Sequence, residues 1–391
     1  GGLPLPAGYR LGPSEHPARL IVRNQEARRT PIWNVIGVIK GKDHGTELDR
    51  PVLLGNHRDA WVFGAVDPNS GTAAMLELAR GLGALLAMGW VPRRSLILCS
   101  WSGEEYGLLG STAYGEMNAA ELAAKAVAYI NVDEGVSGGE LKVSATQALA
   151  KVIRAAAADV EDPRDGRSLL SHWGGEVGLL GSGSDYTVFL DHLGIASADM
   201  QLSGSYGVYH SVYDSFTWMA TQGDPGFRFH VAMARLWGLV AIRLADTKAL
   251  PFDHSEQASA LAKQVVALQK RVTKAPVGML HFEPLVSAVA KYASAAIDAS
   301  SAENDVLAFT ERRFLLPSGL PRRPWFKHVL QAPGLYLGYA ALAFPGIAQA
   351  VDDGDWATAD EQIQAAANAI RQAALFLGEV GGATPPQMAI A

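Results

Sequence analysis

Short apolar runs alternate with stretches of helical periodicity from about residue 33 to residue 247. The runs predict strands at 34–40, 52–55, 95–100, 126–132 and 195–201, with one further strand upstream at 18–22. The helical stretches predict helices at 72–88, 119–125, 145–158, 185–193 and 224–244. This alternation indicates an α/β fold in which helices cover both faces of a mostly parallel sheet, a three-layer α/β/α arrangement.

The pattern changes at Leu250-Pro251-Phe252-Asp253, beyond which the chain is Ala-rich and helical. Helical periodicity there predicts helices at 255–272, 283–300 and 356–378, around a Pro- and Arg-rich segment at 316–324. These features indicate a separate helical bundle. The predicted organisation is therefore an N-terminal segment at 1–34, an α/β domain at 35–250 and a helical domain at 251–391.

Composition excludes several classes of protein. The 391-residue chain is 49% hydrophobic and 18% charged, as expected for a well-packed globular protein. Its net charge of −6, without any Lys- or Arg-rich block, argues against nucleic-acid binding. No apolar run reaches the length of a membrane span. Cys99 is the only cysteine, which excludes an intrachain disulfide and a cysteine-based zinc site.

Two adjacent acids, Glu104 and Glu105, follow the apolar strand predicted at 95–100. The carboxyl end of a strand lies at the edge of an open α/β sheet where ligands bind. Two ionised carboxylates side by side in a crevice are costly unless cations are present, so the pair suggests a metal site. One glutamate could then bind metal while its neighbour acts as a general base. The alternative is two solvated glutamates at the positive end of a helix.

Further acids and histidines are placed similarly. His57 and Asp133 follow predicted strands, whereas Asp67 precedes a predicted helix and His210 follows a Gly/Ser-rich loop. Asp59, in the same turn as His57, could hold the second ring nitrogen of that histidine. Each residue alone is equally compatible with an ordinary turn histidine, helix cap or solvated acid. Together they predict a two-metal hydrolytic site, and imidazole and carboxylate ligands suit zinc.

Several stretches carry a resemblance to a known family. They include His57-Arg58-Asp59, Trp61-Val62-Phe63-Gly64, Asp67-Pro68, Glu104-Glu105-Tyr106-Gly107-Leu108-Leu109-Gly110-Ser111-Thr112, Ser182-Gly183-Ser184-Asp185, Tyr209-His210-Ser211-Val212-Tyr213, Leu250-Pro251-Phe252-Asp253 and Phe344-Pro345-Gly346-Ile347. With these the chain resembles the glutamate carboxypeptidase II, prostate-specific membrane antigen and transferrin receptor-like family of zinc peptidases, from about residue 30 to the C-terminus.

The resemblance implies a co-catalytic exopeptidase with two zinc ions per chain. It implies five metal ligands: His57 and Asp133 on one ion, Glu105 and His210 on the other, and Asp67 bridging both. Glu104 would be the general base, and Tyr209 would donate a hydrogen bond to the oxyanion. The helical domain would form a homodimer, the substrate would be a small peptide, and the location would be extracytoplasmic. Residues 1–34 would follow a missing apical domain.

Departures from the family concern the substrate. The family's lysine that grips a C-terminal glutamate falls on Gly338, beside the retained Tyr339. Two arginines that favour acidic residues across the scissile bond fall on Asp199 and Gln201, and an asparagine falls on Ser184. Tyr339, Ser184 and Gln201 are therefore the predicted substrate-binding residues. Loss of the cations predicts a weakened glutamate preference in a carboxypeptidase or dipeptidase.

Three alternatives remain open from the sequence. An aminopeptidase could use the same metal ligands, and a receptor-like binding protein could keep the fold without turnover. A serine hydrolase would use Ser137, because Gly135-Val136-Ser137-Gly138-Gly139 fits the G-x-S-x-G pattern. A nucleophile elbow must turn into a helix, however, and the alternating residues at 140–144 predict a strand reached through a hairpin turn.

Overall fold

The computed structural model describes residues 15, 17–23, 29–272, 276, 278–299, 302–336 and 338–378. Seven strands form its main sheet: β1 Val35–Ile39, β2 Val52–His57, β3 Leu96–Trp101, β4 Ala128–Asn131, β5 Glu140–Ala145, β6 Val177–Gly178 and β7 Ala196–Ser203. The strand order is β1-β3-β2-β4-β7-β5-β6. The four central strands β3, β2, β4 and β7 are parallel, whereas β1 and β5 each pair antiparallel with their neighbours β3 and β7. Their carboxyl ends therefore share one edge.

Helices cover both faces of this sheet. They are α1 Asn69–Ala87, α2 Leu109–Met117, α3 Ala119–Lys125, α4 Ala150–Ala158, α5 Leu169–Trp173, α6 Phe216–Trp218 and α7 Arg228–Asp246. Because strand side chains alternate between faces, Leu53 and Leu54 of β2 enter different cores. Leu54 packs in the core that includes Leu78 of α1 and Trp237 of α7, and Leu53 in the core that includes Leu122 of α3. The predicted three-layer α/β fold is confirmed.

The C-terminal part is helical, as predicted. It comprises α8 His254–Arg271, α9 Glu283–Asp298, α10 Asn304–Phe309, α11 Pro345–Asp352 and α12 Trp356–Leu377, with a two-stranded sheet of β8 Gln331–Pro333 and β9 Ala341–Ala343. Arg312 joins this part to the α/β part. Its buried guanidinium donates to the carbonyl of Ala126 at 2.6 Å and lies over the Phe309 ring at 4.2 Å. No helix in the described ranges is long and apolar enough to cross a membrane.

Some sequence-based predictions were wrong in detail. Residues 17–23 form no strand: Leu20 and Val22 are 87% and 62% exposed, and no described strand pairs with them. The helix predicted at 185–193 is a single π-helical turn, Val188–His192, and the one predicted at 145–158 begins only at Ala150 because β5 extends through Ala145. Residue 300, the predicted end of α9, lies outside the described residues, as do most of residues 1–34. The domain boundaries stay predictions.

Candidate metal centre

The predicted metal-site residues meet at the carboxyl edge of the parallel strands. His57 is the last residue of β2, Glu104 and Glu105 follow β3, and Asp133 follows β4, so three neighbouring strands deliver them. Asp67 precedes α1. Gly71, in the first turn of α1, allows that approach, because a Cβ there would lie 2.4 Å from the carbonyl oxygen of Asp133.

One group of three ligand-type residues forms around His57. Its Nε2 lies 2.8 Å from Oδ1 of Asp133 and 3.8 Å from Oε2 of Glu104. Ligand atoms of these three side chains all lie within 4.8 Å of one another. His57 is 1% exposed, so solvent does not compete for its ring. This group can hold one metal ion.

A second group forms around His210. Its Nε2 lies 3.0 Å from Oδ2 of Asp67 and 3.2 Å from Oε2 of Glu105. The other oxygen of Asp67, Oδ1, lies 3.3 Å from Nε2 of His57 in the first group. Each Asp67 oxygen thus faces a different histidine. That arrangement matches a carboxylate shared between two metal ions.

The electrostatics of these carboxyl groups fit bound cations. Oδ1 of Asp67 and Oε1 of Glu105 are buried without a hydrogen-bond partner among the residues described. Burial, then repulsion by neighbouring carboxylates, raises the pKa of Glu104 to about 10 and that of Glu105 to about 7. Buried acceptors without partners are rare in folded proteins. Two divalent ions would supply the missing partners and offset the crowded charge.

The ring of His57 is oriented for metal binding by Asp59. Nδ1 donates to the main-chain carbonyl of Asp59 at 2.9 Å, which leaves Nε2 as the acceptor facing Asp133. The Asp59 carboxylate is farther from Nδ1, at 3.6 Å, and instead accepts the backbone N–H groups of Glu104 at 3.1 Å and Glu105 at 3.2 Å. Asp59 therefore positions both the histidine and the glutamate pair.

Two positioning residues escaped the sequence analysis. The buried carboxylate of Asp214 accepts the backbone N–H groups of Val66 at 2.9 Å and Asp67 at 3.2 Å, and the Tyr206 hydroxyl donates to it at 2.8 Å. It therefore fixes the loop that carries Asp67. The only signal was an acid shortly after His210.

Asn131 is the second such residue. Its side-chain amide donates to the Ser184 hydroxyl at 3.0 Å and to Asp199 at 2.9 Å. Ser184, predicted to bind substrate, is 2% exposed and donates to the Asp133 carboxylate. Its contact in this structure is thus with a predicted metal ligand. Asn131 and Ser184 together hold Asp133 in place.

A cavity of about 580 Å³ opens over both groups and is lined by Asp67, Glu104, Glu105, Asp133, Tyr209, His210 and Tyr339, among others. Tyr209 stacks on the His210 ring at 3.7 Å, and burial followed by the charge of Asp67 raises the pKa of its hydroxyl. That hydroxyl therefore stays a hydrogen-bond donor at neutral pH. Gln201 lies in a smaller adjoining cavity, which Tyr339 also lines.

The structure contradicts the serine hydrolase alternative. Ser137 is 4% exposed, and its hydroxyl accepts the backbone N–H of Gly204 at 3.2 Å. The segment runs on into β5, not into a helix, so it is no nucleophile elbow. The predicted hairpin is also wrong, because β7 lies between β4 and β5 and pairs with both.

Ser137→Ala should leave peptide hydrolysis within about twofold of wild type and cost roughly 1 kcal/mol of stability, the loss of one buried hydrogen bond. Initial rates and thermal unfolding check this. A rate that falls with unchanged stability, or inactivation by a serine-reactive phosphonate, would revive the serine mechanism.

A third group of acids and histidine, Asp162, Asp165 and His172, also has metal-like spacing. Arg164 pairs with Asp162 at 2.7 Å, and Arg167 pairs with Asp165 at 2.8 Å. These guanidinium groups already neutralise the carboxylates. The group therefore needs no cation, in contrast to the two groups at the sheet edge.

Two family models match the chain. That of peptidase family M28 matches residues 34–223, and that of a transferrin receptor-like dimerisation domain matches residues 254–378. The probable glutamate carboxypeptidase LAMP1 of Arabidopsis thaliana is 42% identical over 369 residues, covering 88% of this chain and 54% of that protein.

Two further relatives differ in their named activities. A probable glutamate carboxypeptidase of Arthroderma benhamiae is 40% identical over 403 residues, covering 95% of this chain and 55% of that protein. The aminopeptidase NAALADL1 of Mus musculus is 36% identical over 427 residues, covering 94% and 56%. The chain thus spans about half the length of the curated relatives it matches.

Proposed function

Because the chain belongs to peptidase family M28 and carries a transferrin receptor-like dimerisation domain, we propose that it is a two-zinc exopeptidase that hydrolyses small peptides. The observation that carries the proposal is the position of Asp67, whose two oxygens face His57 at 3.3 Å and His210 at 3.0 Å. The orphaned buried oxygens beside these contacts support occupancy by two metal ions.

Bound zinc would lower the pKa of a water molecule and polarise the scissile carbonyl. His57 and Asp133 would hold one ion, Glu105 and His210 the other, and Asp67 both. Glu104 lies beside the first group and has no contact with His210 among the described ion pairs. It is therefore the group free to move protons.

Glu104 acts as general base and then general acid in this proposal. Burial and neighbouring charge favour its protonated form, whereas nearby cations would favour the ionised form. Opposing influences of this kind let one carboxyl group accept a proton from water and return it to the leaving amine. The Tyr209 hydroxyl, which keeps its proton, donates to the oxygen that becomes negative.

Which end of the peptide is cut divides two candidate activities. Exposed Tyr339 at the cavity wall, and two relatives named as probable glutamate carboxypeptidases, favour carboxypeptidase or dipeptidase action. Among the described residues no Lys or Arg lines the cavity, so a substrate carboxylate would lack a basic partner. That lining, and the relative named as an aminopeptidase, make removal of N-terminal residues the second candidate.

The activity test uses tripeptides that are free at both ends, N-acetylated or C-amidated. The proposal predicts hydrolysis of the free peptide and loss of hydrolysis when one particular end is blocked; the sensitive end identifies the activity. A chelator should abolish cleavage and added zinc should restore it. A zinc-loaded protein that cleaves none of the peptides would instead support the receptor-like alternative.

We also propose that α8 and α9 form a homodimer interface. Their outer face carries an apolar groove of about 500 Å³, where Val266, Val286 and Ile297 are 50%, 46% and 71% exposed. The matched dimerisation-domain model covers both helices. An extracytoplasmic location stays a prediction.

The double substitution Val266→Glu and Ile297→Glu should convert the dimer to a monomer, because it places charges in a desolvated apolar contact. Light scattering after size exclusion measures the mass. Leu76→Glu on α1, where Leu76 is 66% exposed, is the matched control and should leave the mass unchanged. Equal masses for wild type and the double variant would rule out this interface.

A further inference from the structure

A second cavity of about 280 Å³ opens beside the metal-site cavity. The two share Asp133, Glu134, Gly183 and Tyr339 in their walls, so they form one continuous space. Strands β5 and β7 form its far side. Ser144 stands opposite Asp199 in their antiparallel register, and both line the cavity. We call this space the acidic cavity.

The acidic cavity carries uncompensated negative charge. Glu134 and Asp199 line it, and neither forms an ion pair with a Lys, Arg or His in the described part of the chain. Asp199 accepts one hydrogen bond, from Asn131 at 2.9 Å. No described Lys or Arg lines the wall. The nearest cation in the register, Lys142, stands opposite Gln201 but is exposed and lies outside the lining.

Bound metal would not remove this charge. Two divalent ions would balance the four carboxylates of the metal groups, namely Asp67, Glu104, Glu105 and Asp133. Glu134 and Asp199 would remain. Their oxygens, with those of Ser144 and Gln201, give the cavity an excess of hydrogen-bond acceptors.

We propose that the acidic cavity binds an ammonium or guanidinium group of the peptide substrate. This inference rests on the proposed peptidase function and assigns its substrate class. A cation there would form charge-assisted hydrogen bonds with the carboxylates, whereas an acidic peptide residue would face like charge. The cation comes either from the amino terminus of the peptide or from a Lys or Arg side chain.

The test measures peptide binding by calorimetry to the zinc-loaded Glu104→Gln variant, which separates affinity from turnover. N-acetyl-Lys-Ala against N-acetyl-norleucyl-Ala isolates a side-chain cation before the scissile bond, and N-acetyl-Ala-Lys against N-acetyl-Ala-norleucine isolates one after it. Norleucyl-Ala against its N-acetylated form isolates the amino terminus. One cationic peptide should bind about tenfold tighter than its neutral partner, as expected for a charged hydrogen bond.

Variants assign the preference to the acidic cavity. Asp199→Asn should reduce the tenfold gain to about twofold or less, and Gln201→Glu should enlarge it. Glu176→Gln removes one charge from an exposed residue outside both cavities, and is the matched control that should keep the full gain. Equal affinities within all three peptide pairs would overturn the inference, as would a gain that Asp199→Asn leaves intact.

Hydrolysis of the same peptides by the wild-type protein is measured in parallel, so that the two proposals fail separately. Cleavage without any cation preference overturns the acidic-cavity inference and leaves the peptidase proposal standing. A cation preference in binding, with no cleavage by zinc-loaded wild type, overturns the peptidase proposal and retains the binding site.

Discussion

Glu104→Gln should lower kcat by about a thousandfold while the protein keeps its zinc, because loss of a general base removes proton transfer. The amide keeps the size of the side chain but cannot accept the proton. Glu104 is the natural choice between the paired acids, since Glu105 lies 3.2 Å from His210 and is engaged as a ligand, whereas Glu104 approaches its nearest histidine only at 3.8 Å.

Initial rates on the best tripeptide, together with zinc content, measure this effect. Glu121→Gln provides the control, since it makes the same change on exposed α3 and should keep the wild-type rate. A Glu104→Gln variant with wild-type kcat would remove the residue from the mechanism. A variant that had lost its zinc would show instead that Glu104 is a ligand.

Asp67→Asn should abolish both activity and paired zinc binding. The carboxylate reaches His57 through one oxygen and His210 through the other, and an amide offers only one oxygen to a metal. The remaining ligands hold the ions separately and weakly, so the melting temperature should no longer rise when zinc is added.

The matched control for this change is Asp165→Asn. Asp165 belongs to the third acid and histidine group, where Arg167 already pairs with it at 2.8 Å. Its substitution should alter neither zinc content nor rate. If Asp67→Asn still bound zinc as tightly as wild type and kept its turnover, the bridging role would be wrong.

The sequence predicted the edge of the sheet better than its interior. Ligand-type residues directly after apolar strands could be assigned to one edge, because parallel strands all point there. The sequence could not show that β7 inserts between β4 and β5, since strand order depends on long-range pairing. The strand expected at 18–22 had apolar residues but no described partner, and a strand without a partner leaves its backbone unpaired.

Residues that hold the predicted ligands were harder to find. Asp214 and Asn131 act through a loop and a strand that are distant in sequence from Asp67 and Asp133, respectively. Such contacts have no local pattern. Asp59 was assigned to His57 for its carboxylate, yet it reaches the ring through its carbonyl, because the carboxylate is bound to two backbone N–H groups.

The central claim, a site for two zinc ions, is tested most directly by elemental mass spectrometry on protein purified without chelator or added metal. We expect about two zinc ions per chain, since each histidine-centred group offers an imidazole and carboxylates and Asp67 joins the two. Protein that contains essentially no zinc, and takes up none when zinc is supplied, would contradict the account.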